Sequence, residues 1–197
     1  MSEQTTTDGT PPIYSIGHSN QPLDVLLGLL RQHRVGVLAD VRSAPFSKYC
    51  SQFDKPALAA AVREAGLQYV YLGRELGGRP EGREYYDAEG YVLYGRRAAS
   101  PEFLAGIERL ERGRRQHRIA LLCSEEDPAG CHRHLLIGRV LASRGIAVQH
   151  IRGDGRLQAA DELESPQMAL FAELEESAWK SIRSVLPREP RATSSAP

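Results

Sequence analysis

The chain has 197 residues, with 25 Lys plus Arg against 25 Asp plus Glu, 41% apolar residues and three cysteines. Zero net charge argues against a general polyanion binder, whose affinity grows with accumulated positive charge, but it leaves room for a local anion site. No apolar run approaches the roughly 20 residues of a membrane helix, Met1-Ser2-Glu3-Gln4 has neither region of a secretory signal, and an odd, small cysteine count makes a reducing cytoplasm the expected setting.

Residues 1–12 and 187–197 are rich in Thr, Pro and Ser and lack apolar periodicity, so both read as disordered tails around a single domain over 13–186. Ile13-Tyr14-Ser15-Ile16 is a short predicted strand stopped by Gly17. Leu23, Leu26, Leu27 and Leu30 form a helix stripe, opened by Ser19-Asn20-Gln21-Pro22 with its capping groups and first-turn Pro. Val35 to Ala39 is a continuous apolar strand ending at Asp40. Pro56 to Ala65 is a second helix, ended by Gly66 in a left-handed stop, and Gln68 to Leu72 a third strand. Residues 73–100 carry no clear element and read as a loop or lid. Ser100-Pro101 opens a helix that turns Phe103, Leu104, Ile107 and Leu110 inward. Ile119 to Leu122 is a fourth strand, and Asp127-Pro128 starts a helix that Gly145 stops. Ile146 to Ile151 is a fifth strand, and Asp154-Gly155 a turn. Ser165-Pro166 opens a C-terminal helix that buries Met168, Phe171, Ala178, Ile182 and Val185.

Apolar strands alternating with helices predict an α/β fold, a three-layer sandwich around a five-stranded, mostly parallel sheet. Ligands of such sheets bind beyond the carboxyl ends of the strands, at a switch point. There the sequence places His18 and Ser19, Asp40 and Arg42, Gly77 and Gly78, Cys123 and Glu125, then Cys131, His132 and Arg133. The opposite edge holds solvated helix ends such as Gln32-His33-Arg34. In the five predicted strands, the order 3-2-1-4-5 sets the first and fourth loops side by side; 2-1-3-4-5 separates them.

His18 can move a proton near neutral pH or simply cap backbone groups. Asp40 and Arg42, two apart on a strand end, can share a face: Arg42 would hold an anion with its planar fork, or the two would form a structural ion pair. Cys123 and Cys131 read as a reactive thiol, a redox pair, a metal site completed by His132 with His18 or Glu125, or two buried apolar groups. Cys131 is expected in the first turn of a helix near Arg133 and so to be the more acidic thiol, with Glu125 raising Cys123. No Arg follows Cys123 in a short oxyanion loop, so a phosphatase or rhodanese loop is excluded. In the 73–100 segment, Arg74, Arg79, Arg83, Arg96 and Arg97 with Tyr85, Tyr86, Tyr91 and Tyr94 suit nucleotide or single-strand stacking, but Glu75, Glu81, Glu84, Asp87 and Glu89 cancel the charge.

The ordered motifs Gly17-His18-Ser19, Asp40-Val41-Arg42-Ser43-Ala44-Pro45, Leu76-Gly77-Gly78, Cys123-Ser124-Glu125 and Cys131-His132-Arg133 resemble the uncharacterised DUF488 family over roughly residues 13–155. The resemblance names no activity; it implies that both Cys123 and Cys131 belong to a family pattern, while Cys50 does not. The expected function is an enzyme on a small phosphorylated or nucleotide-like ligand, with His18, Cys123, Glu125 and Cys131 catalytic and Ser19, Asp40, Arg42, Gly77, Gly78, His132 and Arg133 binding it. Alternatives are a non-catalytic anion- or nucleotide-binding module, or a nucleic-acid accessory protein. The cofactor, the metal and the oligomeric state stay open.

Overall fold

In each central strand, neighbouring side chains go to opposite apolar clusters. Val37 and Ala39 join one and Leu38 the other; Ile119 and Leu121 join the first, Ala120 and Leu122 the second. That two-residue period with both faces apolar is the mark of a sheet covered on both sides. The computed structural model describes residues 9–47, 49–163 and 179–185. In chain order these form β1 (Ile13–Gly17), α1 (Leu23–Gln32), β2 (Val37–Asp40), α2 (Lys55–Glu64), β3 (Gln68–Tyr71), α3 (Gly73–Leu76), β4 (Tyr91–Leu93), α4 (Tyr94–Ala98), α5 (Pro101–Arg114) and β5 (Ile119–Cys123). A π-helical stretch, Arg133–Gly138, then runs into α6 (Arg139–Ser143), followed by β6 (Val148–Ile151), β7 (Leu157–Ala159) and β8 (Lys180–Ser184).

The fold is α/β with a mixed, mostly parallel sheet of six strands in the order β3-β2-β5-β1-β6-β7, plus a separate β4–β8 ribbon. The five predicted strands are β1, β2, β3, β5 and β6; all pair in parallel, and β7 adds an antiparallel sixth through a hairpin. The expected order is corrected at the centre, where β5 lies between β2 and β1. Hydrophobic periodicity marks a strand as buried but does not rank its neighbours. Leu26, Leu30, Leu58 and Val62 of α1 and α2 pack on one face; Phe103, Ile107, Leu136 and Leu141 from α5 and the π-helical stretch with α6 pack on the other.

Local signals explain the boundaries. Ser100 caps α5 by accepting from the Phe103 amide at 3.3 Å, with Pro101 next to it. Gly66 and Gly145 adopt φ of 79° and 73° at their helix ends, a region costly for a side chain. No side chain caps α1, however; Pro22 occupies that position.

Three expectations are corrected. The 73–100 segment is not a bare loop: it holds α3, a 3-10 turn over Arg83–Tyr85, β4 and α4. Arg97 organises it, buried and donating to the carbonyls of Arg74 and Glu75 at 2.8 and 2.6 Å, which closes the end of α3. The C-terminal helix does not reach Ile182 and Val185: residues 180–184 form β8, paired antiparallel to β4. The rest of that predicted helix, with Met168, Phe171 and Ala178, lies outside the described residues, as do residues 1–8 and 187–197 of the predicted tails. Thr10, expected in the tail, accepts a hydrogen bond from Arg114 of α5.

Candidate active site

Connections from β1 and β5 leave the middle of the sheet in opposite directions, to β2 and to β6, so the two strand ends flank a switch point. Gly17 is the register partner of Cys123, and Asp40 that of Leu122. The His18 amide donates to the Cys123 carbonyl at 3.0 Å and the Val41 amide to the Leu122 carbonyl at 3.1 Å. The strand end that carries Cys123 is therefore held by backbone bonds from both sides.

The next loop folds back so that Cys131 and His132 meet Cys123. The two sulfurs and a ring nitrogen of His132 all lie within 4.8 Å of one another. His132 Nε2–H donates to the Val41 carbonyl at 3.1 Å. That bond fixes the ring so that Nδ1 faces Cys123 Sγ at 3.8 Å and Cys131 Sγ at 3.7 Å. Gly78 makes room for the ring, since a Cβ there would stand 2.7 Å from His132 Cγ.

The thiols are unequal. The S–H of Cys131 donates to Cys123 and, against the cost of burial, holds the Cys123 thiol well below its ordinary range, helped by the charges of His132 and Arg133. Burial, and then the sulfur it donates to, drive Cys131 well above its range. Burial opposes charge on His132 too, but the Cys123 thiolate outweighs it and raises the imidazole. The two shifts support each other: negative charge on Cys123 raises His132, and positive charge on His132 lowers Cys123. This reverses the expected order of the thiols. Cys131 is not in a helical turn; its amide donates to the Pro128 carbonyl at 2.9 Å in the turn before His132, and it is 1% exposed.

Asp40 and Arg42 form a buried fork-to-fork pair, Nε to Oδ1 at 2.9 Å and Nη2 to Oδ2 at 2.6 Å. Arg42 Nη2 also donates to the Phe53 carbonyl at 2.9 Å, and Nη1 reaches His18 Nε2 at 3.0 Å. Most of the fork is therefore spent inside the protein, and only the Nη1 edge remains for a ligand. His18 Nδ1–H donates to the Ser19 carbonyl at 2.7 Å, the ring stacks on Phe53 with centroids 4.2 Å apart, and burial lowers its pKa. Both ring nitrogens are used, so His18 orients Arg42 and is not free to exchange a proton with a ligand.

Arg133 is fully buried. Its Nη1 and Nη2 donate to the carbonyls of Glu125 and Glu126, and its Nε to Ser15 Oγ at 3.2 Å. It clamps the loop after β5 instead of meeting a ligand. Beneath it Ser15 Oγ–H donates to His150 Nδ1 at 2.7 Å, and His150 Nε2 meets His134 Nδ1 at 3.3 Å. Sequence reading passed over this chain because its members sit on three different elements.

Above the thiols lies a cavity of about 380 Å³, lined by Arg42, Ser43, Phe46, Gly78, Arg79, Tyr94, Cys123, Glu125 and His132 and closed by β8 through Ile182 and Arg183. Of the expected site residues, Cys123, Glu125, Arg42, Gly78 and His132 line it. Glu125 Oε2 stands 3.8 Å from Cys123 Sγ. Ser19 is exposed and does not line the cavity, and Gly77 packs where a Cβ would lie 2.2 Å from the Gly73 carbonyl. Arg183 and Ile182 were missed because β8 read as part of a helix. Tyr94 was noted only as a loop aromatic, although the apolar run Tyr91-Val92-Leu93 before it was a strand signal.

Cys123, Cys131 and His132 are also a set that could hold a metal ion. A tetrahedral Cys-Cys-His site has S–N and S–S edges of about 3.6–3.8 Å, and a ligating imidazole commonly donates its other N–H to a carbonyl, as His132 does. His18, with both nitrogens engaged, is not part of such a set.

Fold and site define an α/β protein with a paired-thiol and histidine cluster at the switch point of its sheet, beneath a cavity edged by arginines. The chain belongs to the DUF488 family: the model described as "Domain of unknown function DUF488" matches residues 22–140, which include Asp40, Arg42, Gly77, Gly78, Cys123 and Cys131-His132-Arg133. No curated protein and no solved structure matches the chain. Among the described residues, no helix is long and apolar enough to cross a membrane.

Proposed function

We propose that the protein is a cysteine-dependent enzyme acting on a small phosphorylated or nucleotide-like ligand. The carrying observation is Cys123 Sγ facing His132 Nδ1 at 3.8 Å, its thiol held well below the ordinary range, on the floor of a cavity that Arg42, Arg79 and Arg183 also line. The Cys123 sulfur attacks an electrophilic centre of the ligand, and the bond to the leaving group breaks as the S–ligand bond forms. His132 Nδ1–H supplies the leaving group's proton. The arginines hold the anionic part, and the apolar faces of Phe46 and Ile182 border the same opening. Glu125, beside the sulfur, is the group that activates water for release.

The test is iodoacetamide modification of Cys123 across pH, with and without inorganic phosphate or AMP. The expected midpoint lies well below the ordinary free-thiol value of about 8.5, and either anion slows the reaction at pH 7. Modification only above that value overturns catalysis. Ligand protection without reactivity leaves the anion-binding module.

A second reading has its own observation. The facing Nδ1 and two sulfurs, with the opposite N–H anchored on Val41, suit a bound metal ion. Metal content of the purified protein, set against that of a Cys123→Ala variant, separates the two. Stoichiometric zinc lost in the variant supports the metal, and metal-free protein with an acidic Cys123 supports the nucleophile.

A further inference from the structure

The proposed chemistry uses Cys123 and leaves Cys131 with no role beyond donating a hydrogen bond. The two sulfurs lie within 4.8 Å of each other, close enough for side-chain rotation to approach the roughly 2.05 Å of a disulfide. Their surroundings differ in a directed way. Cys123 opens onto the cavity, whereas Cys131 is 1% exposed behind it and does not line it. An oxidant entering from solvent meets Cys123 first, and Cys131 waits next to whatever forms there. His132 Nδ1 faces both sulfurs, at 3.8 and 3.7 Å, and can pass a proton between them.

From this juxtaposition we infer that Cys123 and Cys131 are a redox-active dithiol that reduces hydroperoxides, with Cys123 the attacking and Cys131 the resolving thiol. The inference rests on the reading of Cys123 as an accessible nucleophile. In the first step the Cys123 sulfur attacks the distal oxygen of ROOH. An S–O bond forms, the O–O bond breaks, and the alkoxide takes a proton from His132 to leave as ROH. Cys123 is then a sulfenic acid, oxidised by two electrons. In the second step Cys131, its proton passed to His132, attacks the Cys123 sulfur; the S–S bond forms and hydroxide leaves as water with that proton. The net change is ROOH plus two thiols to ROH, water and one disulfide. An external dithiol returns the pair to the reduced form by exchange. Cys50 is also a free cysteine, 9% exposed and packed in the opposite apolar cluster, and serves as an internal reference.

The experiment treats the reduced full chain with one equivalent of hydrogen peroxide at pH 7, then counts free thiols and maps peptides by mass. The expected result is a fall from three free thiols to one, a linked Cys123–Cys131 peptide and full recovery with dithiothreitol. Cys131→Ser and Cys131→Ala should instead hold a sulfenic acid at Cys123 that dimedone traps. Overoxidation of Cys123 in the parent chain with Cys131 still free overturns the inference, and so does pairing through Cys50. Rapid alkylation of Cys123 at pH 7 without any disulfide removes this inference and leaves the nucleophile standing. Inertness of Cys123 to both peroxide and iodoacetamide removes both.

Discussion

Asp40 closes the Nε–Nη2 edge of the Arg42 guanidinium with two bonds, Nε to Oδ1 at 2.9 Å and Nη2 to Oδ2 at 2.6 Å, and neither residue is more than 4% exposed. Tyr69 adds a hydroxyl bond to Oδ2 at 2.7 Å, and burial with the Asp40 charge raises the Tyr69 phenol far above its ordinary range. With the Arg42 amide donating to Oδ1 at 3.1 Å, the carboxylate accepts four hydrogen bonds, and the arginine is held as a fixed positive wall of the cavity.

Removing either member leaves the other charge buried without its partner. Asp40→Asn should lower stability by about 3–5 kcal/mol, the range for a broken buried pair; Arg42→Lys, which keeps the charge but loses the fork, should lower it by less. In Asp40→Asn an NH2 group faces guanidinium donors; in Arg42→Lys one ammonium cannot serve Asp40, Phe53 and His18 together. Urea unfolding midpoints measure both. A change below 1 kcal/mol in Asp40→Asn would show that the pair is solvated in solution.

Gly78→Ala places a methyl group where His132 now sits, 2.7 Å from Cγ, so the ring must move from between Cys123 and Val41. Cys123 then loses the imidazole that helps to lower it, and the midpoint of its alkylation should rise toward the ordinary thiol value. The rate at pH 6 should fall by about tenfold for each unit of that rise. An unchanged profile with an intact fold would mean that His132 does not set the acidity of Cys123.

The two cysteine variants should behave oppositely. In Cys131→Ala, Cys123 loses the S–H that donates to it, so its midpoint rises but stays below the ordinary range because His132 remains. In Cys123→Ala, Cys131 keeps its burial and should react slowly at every pH below 9. Iodoacetamide rates across pH in the two variants give the comparison. A faster Cys131 would restore the order that a helix-start position predicts.

Burial, followed by the charges of His134, Arg133 and Arg152, pushes the His150 pKa down to about 3, from an ordinary 6.5. Between these values the unfolded chain binds a proton that the folded chain refuses. Stability is therefore complete above pH 6.5 and declines as pH falls toward 3, by up to about 1.4 kcal/mol per pH unit from this group. His134 and His18, both lowered by burial, act with the same sign. His150→Gln keeps an acceptor for Ser15 but cannot titrate, so its slope of unfolding free energy between pH 6.5 and 4.5 should be flatter by about one proton. Equal slopes in the two proteins would place the titrating groups elsewhere.

Much of this was legible in the residues. Five apolar runs marked the parallel strands, and the polar groups after them marked one edge, because a strand end at a sheet's carboxyl side has few other reasons to carry Cys, His and Arg. Interior order was not legible, since β1, β2 and β5 are equally apolar and only three-dimensional pairing distinguishes them. The structural bonds of His18 and Arg133 were not legible for a related reason. A sequence shows that a side chain can donate or accept but not how many of its hydrogen bonds the fold will use, and here carbonyls of Ser19, Glu125 and Glu126 take most of them. The ordering of the thiols failed because the helix expected from Asp127-Pro128 starts only at His132, which leaves Cys131 just before it, in a dry corner beside Cys123.

The placement of β5 between β1 and β2 has a consequence for how the molecule is made. On a growing chain β1, β2 and β3 emerge first, yet β1 pairs with β5 and β6 and with no earlier strand. Until residue 119 has emerged, the nascent chain carries β1 unpaired and β2 with one open edge, surfaces prone to wrong pairing. Arrival of β5 fills both gaps and brings Cys123 into place in the same motion. Sheet completion and birth of the thiol centre are one event, so a nascent chain stalled before β5 has open strand edges and no reactive sulfur at the site.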